Sequence, residues 1–349
     1  MFSLPGAPAS PLARPHRFRT AAALPTRAAP PASPALDADA AASAEARPSD
    51  YFQLLKPRVM SLVVFTGLTG LVCADTPMNP GLAAVAVLCI AVGAGASGAL
   101  NMAYEADLDS RMKRTASRPT ATGRVPTAEA AGLGVVLAML SVATLGLATN
   151  WLAAALLAGT IAFYAIVYTR WLKRSTPQNI VVGGAAGALP PVVGWAAASG
   201  AAPLDAWILF LIIFMWTPPH FWALGLYTHE DYARAGVPMM PVVRGARSTR
   251  RQILAYSALL VPIGLLPLAT GLGGAIYAAT SIVGGLVFLA LAVRLVRSSA
   301  GETSAAGPGG LYATREGARE ARDLFAWSIL YLFGLFAALL VEHGLGALR

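Results

Sequence analysis

Residues 81–119 read GLAAVAVLCIAVGAGASGALNMAYEADLDSRMKRTASRP. Twenty-four residues pass without a charge, and then acids and bases crowd together from Glu105 to Arg118. An uncharged helix of that length rises 1.5 Å per residue and crosses about 30 Å of hydrocarbon. The stretch is therefore a membrane span running out into a charged surface. This reading decides the fold class.

The same alternation recurs along the chain. Of 349 residues, 56% are hydrophobic and only 12% charged, where soluble domains carry about twice that charge fraction. Apolar runs predict nine spans, at 59–74, 81–101, 127–147, 151–169, 179–199, 204–226, 252–272, 274–294 and 323–341. The chain is an all-α, polytopic membrane protein. Every Lys and Arg except Arg349 lies before span 1 or in the connections after spans 2, 4, 6 and 8. By the positive-inside rule the N-terminus and those loops are cytoplasmic. The net charge of +9 is thus topological, and no nucleic-acid partner is invoked. Cys73 and Cys89 fall at or inside spans 1 and 2 without metal-ligand spacing, and read as small packing residues.

Residues 1–50 are rich in Ala, Pro and Arg, and read as a disordered N-terminal tail ahead of one domain over 51–349. Their composition also fits a mitochondrial transit peptide. A second flexible piece is expected at 299–310, SAGETSAAGPGG.

Three segments carry chemistry. In the first, Asn101, Glu105 and Asp109 recur every fourth residue and share one helix face. Acids beside hydrocarbon are costly and usually functional. Oxygen ligands on one face suit Mg²⁺, and Lys113, Arg114 and Arg118 just beyond suit phosphate. Together they read as a diphosphate site. Asp107 is off the face and reads as an outward ion-pair partner.

The second segment is WTPPHFWALGLYTHEDYARAGVPMMPVV, 216–243. Pro218 and Pro219 are expected to break the helix beside His220. His220 and Asp231, eleven residues apart, would face one cavity with roughly 16 Å of helix between them. In the third, STPQNIVVGGAAGALPPVVGW follows Lys173 and Arg174, both candidate phosphate contacts. Gly183, Gly184 and Gly187 read as a packing face. Pro190 and Pro191 are expected to open the helix beside a bulky ligand.

At these segments the chain resembles the UbiA superfamily of intramembrane prenyltransferases, over about residues 50–345. NMAYEADLDSRMKRTASRP is similar to its first aspartate-rich motif, with Glu105 where Asp is common. WTPPHFWAL, carrying His220, resembles the branch whose acceptor is protohaem. The resemblance implies a nine-helix bundle around a central cavity, and transfer of farnesyl from farnesyl diphosphate to haem B with Mg²⁺ as cofactor. It implies metal ligands Asn101, Glu105, Asp109 and Asp231. It implies Arg114 and Arg118 as the diphosphate clamp, to which Lys113, Lys173 and Arg174 add as candidate diphosphate contacts, and catalytic roles for Asn101, Asp109, Arg114, Arg118 and His220. Implied partners are the lipid bilayer and, as neighbours, haem A synthase or terminal oxidase assembly proteins. The implied location is a bacterial inner membrane, with the mitochondrial inner membrane as the alternative. Whether His220 orients a propionate, ligates iron or assists water stays open. Competing readings are a superfamily member acting on an aromatic or chlorophyllide acceptor, a transporter, and an assembly scaffold.

Overall fold

The computed structural model describes residues 46–302 and 318–346. Residues 1–45 of the tail expected over 1–50, and most of the expected linker, lie outside them. The last residues of that expected tail already belong to a helix, α1, which runs Pro48–Leu54. Its Asp50 is buried and paired with Arg124, which gives that turn a reason to fold.

The helices that follow are α2 (Pro57–Cys73), α3 (Pro80–Tyr104), the single turn α4 (Ala106–Asp109) and α5 (Thr127–Ala148). Next come α6 (Trp151–Ser175), α7 (Asn179–Ser199), α8 (Leu204–Tyr227) and the short α9 (His229–Arg234). The last three are α10 (Gly245–Thr270), α11 (Ala275–Arg297) and α12 (Ala318–Gly346). Eight of these are long and apolar enough to cross a membrane, and α1 with α2, bent by 50°, makes a ninth when the pair is counted as one broken span. The nine expected spans are thus present, within a few residues of their expected ends in most cases. The largest departures are α10, which begins seven residues early with a basic turn, and α6, which runs six residues beyond its expected end.

Local chemistry sets the starts. Pro48, Pro57 and Pro80 each sit in the first turn of their helix, where a missing N–H costs nothing and φ is already helical. Asn79 caps α3 by accepting from the Gly81 amide at 2.8 Å. Asn150 caps α6 likewise, accepting from Ala153 at 2.9 Å, and donates to the Ala196 carbonyl at 2.7 Å. That second bond ties the start of α6 to the end of α7.

Two proline expectations meet different fates. The α7 ladder is interrupted at Leu189, between Asn179–Ala188 and Pro190–Ser199. The break does not open a chamber, however, because α2 fills it. A Cβ on Gly70 would overlap the Pro191 carbonyl, and one on Gly194 would overlap the Gly67 carbonyl. Glycine is what lets these two backbones touch. The expected break at Pro218 and Pro219 is absent, and α8 runs straight through both. Its neighbours α7, α10 and α12 enclose it, Thr217 donates to the Ile213 carbonyl at 2.8 Å, and Trp216 Nε1 donates to the Ser328 carbonyl at 2.6 Å. Packing of that kind outweighs two missing backbone donors. The main core gathers around α8, with Trp222, Leu209 and Leu226 of α8 and Phe288 and Phe336 opposite, all 1% exposed or less.

Candidate active site

The acidic face forms where α3 ends. The helix stops at Tyr104 and Glu105 is its C-cap, yet the four-residue repeat survives the break. Glu105 N bonds Asn101 O at 3.0 Å and Asp109 N bonds Glu105 O at 2.8 Å. Asn101, Glu105 and Asp109 are consequently all turned inward, none more than 2% exposed. Thr115 donates to the Asp109 carbonyl and Thr120 to the Met102 carbonyl, both at 3.0 Å. These bonds fold the following loop back over the end of α3.

Each of the three side chains meets a cationic side chain from elsewhere in the sequence. Arg118 grips both Asp109 oxygens, at 2.9 and 2.8 Å. Lys173, at the end of α6, donates to Glu105 Oε2 at 2.5 Å. Lys56 donates to Asn101 Oδ1, while Asn101 Nδ2 donates to Thr169 Oγ1 at 3.0 Å. A buried carboxylate without such partners would be prohibitively costly. Glu105 Oε1 alone remains buried with no hydrogen-bond partner.

By sequence alone Lys56 counts only among the charges that set topology. It occupies the bend between α1 and α2 with φ +49, a left-handed conformation that side-chain-bearing residues seldom adopt. The bend is held from both sides. Leu54 and Leu55 lie against Gly98 and Gly95 of α3, and Tyr51 donates to Glu129 at 2.5 Å. The one sequence signal was a Lys–Pro pair directly before an apolar run.

Around this face, Tyr164 lies within Coulombic reach of Glu105, Asp109 and Arg118, and Tyr168 within reach of Glu105 and Arg114. Both tyrosines sit on the π-helical stretch Phe163–Leu172 of α6, a distortion frequent at functional sites that no hydrophobic pattern announced. Gly183 packs against the Tyr168 ring and Gly184 against Thr217, whereas Gly187 faces open space. Lys113 and Arg114 are exposed at the rim. Arg174 turns outward, bonding Asp107 at 2.9 Å and lying 5.0 Å from the Tyr104 ring centre. Asp107 is thus the outward ion-pair partner expected of it.

The second segment is built differently. His220 is 7% exposed, stacked between Trp216 at 4.2 Å and Phe325 at 4.6 Å. Its Nδ1 lies 2.6 Å from Ser328 Oγ. Ser328 spends its own proton on the Phe325 carbonyl, at 2.6 Å, so it accepts from Nδ1–H. The neutral ring then keeps its lone pair on Nε2.

Asp231 departs from expectation. Helix α8 ends at Tyr227, Thr228 turns the chain, and Asp231 belongs to α9, where Arg234 takes its carboxylate at 2.8 Å. The continuous three-turn helix from His220 to Asp231 does not exist. Among the described residues no three His, Cys, Asp or Glu side chains gather in a way that could hold a metal ion. What does come across from α9 is Tyr232, within Coulombic reach of Tyr168.

A helical bundle with a buried acid–base face at one end has known counterparts. The model of the UbiA prenyltransferase family matches residues 63–307, and the chain belongs to that family. It is similar to a protein of Caulobacter sp. (strain K31) named protoheme IX farnesyltransferase, 64% identical over 313 residues, covering 86% of this chain and 91% of that one. Among solved structures it resembles a digeranylgeranylglyceryl phosphate synthase, TM-score 0.66 at 14% identity, covering 84% of this chain and 98% of the other. It also resembles a UbiA homolog from Archaeoglobus fulgidus bound to GPP and Mg²⁺, TM-score 0.55 at 18% identity, covering 83% and 99%. At such identities the two structures speak for the fold.

Proposed function

We propose that this chain transfers the farnesyl group of farnesyl diphosphate to a vinyl group of haem B, taking up water to give haem O and releasing diphosphate. The observation that carries the reading is the 64% identity, along nearly the whole of both chains, to a relative bearing the name of that activity. Extracting and chromatographing the haems of a membrane that expresses the protein tests it directly. A new haem carrying a hydroxyethylfarnesyl group is expected; a prenylated quinone precursor or chlorophyllide instead would overturn the choice of acceptor.

The barrier is cleavage of the allylic C–O bond, which leaves positive charge on farnesyl and negative charge on diphosphate. Lys173 and Arg118, with Lys113 and Arg114 at the rim, stabilise the departing charge where water is scarce, and electrostatic help counts most there. Asn101, Glu105 and Asp109 would hold Mg²⁺, and the orphaned Glu105 Oε1 fits a cation as its missing partner. The metal would supply Lewis-acid neutralisation of the diphosphate. The A. fulgidus homolog bound to Mg²⁺ supports the choice of metal. Asp231, engaged by Arg234, is left out of this set, and Arg174 is assigned to the surface pair with Asp107. The rings of Tyr164 and Tyr168, on the π-helical stretch of α6 and both within Coulombic reach of Glu105, would favour the allylic cation. Trp216 and Phe221 are less suited, since both pack on His220.

His220 belongs to the acceptor side in this reading. Ser328 fixes its tautomer, and the stack fixes its plane. The Nε2 lone pair is left for the haem iron or for a proton from the added water.

The protein is proposed to sit in the bacterial plasma membrane with its N-terminus and acidic face cytoplasmic, supported by the Lys and Arg distribution and by the bacterial relative. Reporters fused after Arg124 and at Arg349 are expected on opposite sides. The same side for both would overturn the orientation.

A further inference from the structure

We infer that Lys56 and Lys173 are resident counter-ions of the metal face. In the ligand-free protein they occupy oxygens the metal needs, and they move to the diphosphate when metal and diphosphate arrive together. The inference rests on the prenyl-transfer reading and adds an order of binding to it.

Each proposed ligand group already holds one internal cation: Lys56 on Asn101, Lys173 on Glu105, Arg118 on Asp109. Three cations stand against two carboxylates, so a divalent ion arriving alone enters a set that is already net positive. Lys56 itself lies in the fields of Arg118, Glu105, Lys173 and Asp109. A diphosphate reverses the local sign and gives displaced ammonium groups somewhere to go. The chemistry of the three cations separates movers from fixtures. Arg118 reaches both Asp109 oxygens from one nitrogen of a rigid, planar guanidinium, while a lysine is a point charge on a flexible stem that re-aims with little reorganisation. Lys56 also sits in a left-handed bend, strain that a merely topological charge would not need. The single unpartnered atom of the face, Glu105 Oε1, is where an incoming cation makes its first contact without evicting a lysine.

The test uses the full-length protein in detergent, Mn²⁺ as the metal and labelled inorganic pyrophosphate as the anion, with bound amounts counted by equilibrium dialysis. In the wild type, pyrophosphate is expected to tighten Mn²⁺ binding by about tenfold or more. Lys56→Met and Lys173→Met are each expected to tighten Mn²⁺ binding without pyrophosphate by about tenfold, the scale of removing one adjacent like charge. They should weaken pyrophosphate binding at the same time. Lys56→Arg keeps the charge and is expected to leave both affinities near wild type. If both Met variants leave metal-alone binding unchanged, the lysines contact only the anion and the inference fails. It fails equally if both affinities fall together, the mark of a structural role. A wild type that binds neither Mn²⁺ nor pyrophosphate would instead overturn the prenyl-transfer reading beneath it.

Discussion

The two polar segments of this bundle solve opposite problems with the same materials. At the end of α3, two carboxylates and an amide are buried and made tolerable by cations drawn from three separate stretches of chain. In α8, one imidazole is buried and made tolerable by two aromatic faces and a serine. The first arrangement is electrostatic, holds one unsatisfied oxygen, and is built to exchange partners. The second is a packed stack with one defined tautomer, and is built to stay still. Burial alone does not distinguish a reactive polar group from a positioned one; what surrounds it does.

The sharpest way to break this contrast is Asp109→Ala. With Arg118 left unmatched, farnesyl transfer in isolated membranes is expected to fall about a thousandfold or more, while the protein still inserts. Near-wild-type turnover would show that the acidic face is only an anchor. Chelation with EDTA should produce a comparable loss, reversed by Mg²⁺.

His220→Ala comes next. Haem farnesylation is expected to drop about a hundredfold, on the scale of losing a positioned proton carrier, with labelled farnesyl diphosphate binding largely preserved. The stack should also loosen, by about 2–4 kcal/mol of stability. His220→Phe separates the two effects, because it restores the ring without the nitrogens. Recovery of stability with activity still lost confirms the acceptor role, and recovery of both would reduce His220 to packing.

Ser328→Ala keeps the imidazole but frees its tautomer. About 1 kcal/mol of stability and a few-fold loss in kcat/KM for haem are expected, with farnesyl diphosphate unaffected. The smallest effect belongs to Arg174→Ala, whose partner Asp107 is half exposed. Activity within about twofold of wild type and stability within about 0.5 kcal/mol fit a surface ion pair. A tenfold loss would move Arg174 back into the diphosphate set.

Hydropathy made the spans legible because each helix must satisfy its own backbone in lipid and so declares itself by length. The acidic face was legible for a related reason. A four-residue repeat names one side of a helix, and the hydrogen bonds from Asn101 through Asp109 keep that repeat although the helix itself stops. Contacts across the sequence were not legible. Nothing local ties Lys56 to Asn101, Lys173 to Glu105, or His220 to Ser328, more than a hundred residues away. The α8 prolines misled because propensity is local while enclosure by α7, α10 and α12 is not. Asp231 misled because a turn at Thr228 leaves no mark in a count of residues.

The glycine seam between α2 and α7 has a consequence at the far end of α2. Two backbones in contact at Gly67, Gly70, Pro191 and Gly194 can neither rotate nor slide against each other without collision. Counting back from Gly67, Lys56 lies eleven residues away, about 16 Å of rise at a fixed angular phase. One alanine inserted between them would put the seam about 100° out of phase with Lys56, and so set it against the contacts that Leu54, Leu55 and Tyr51 make with α3 and α5. The seam is a gauge block: a contact deep among apolar residues meters where a charge stands at the surface.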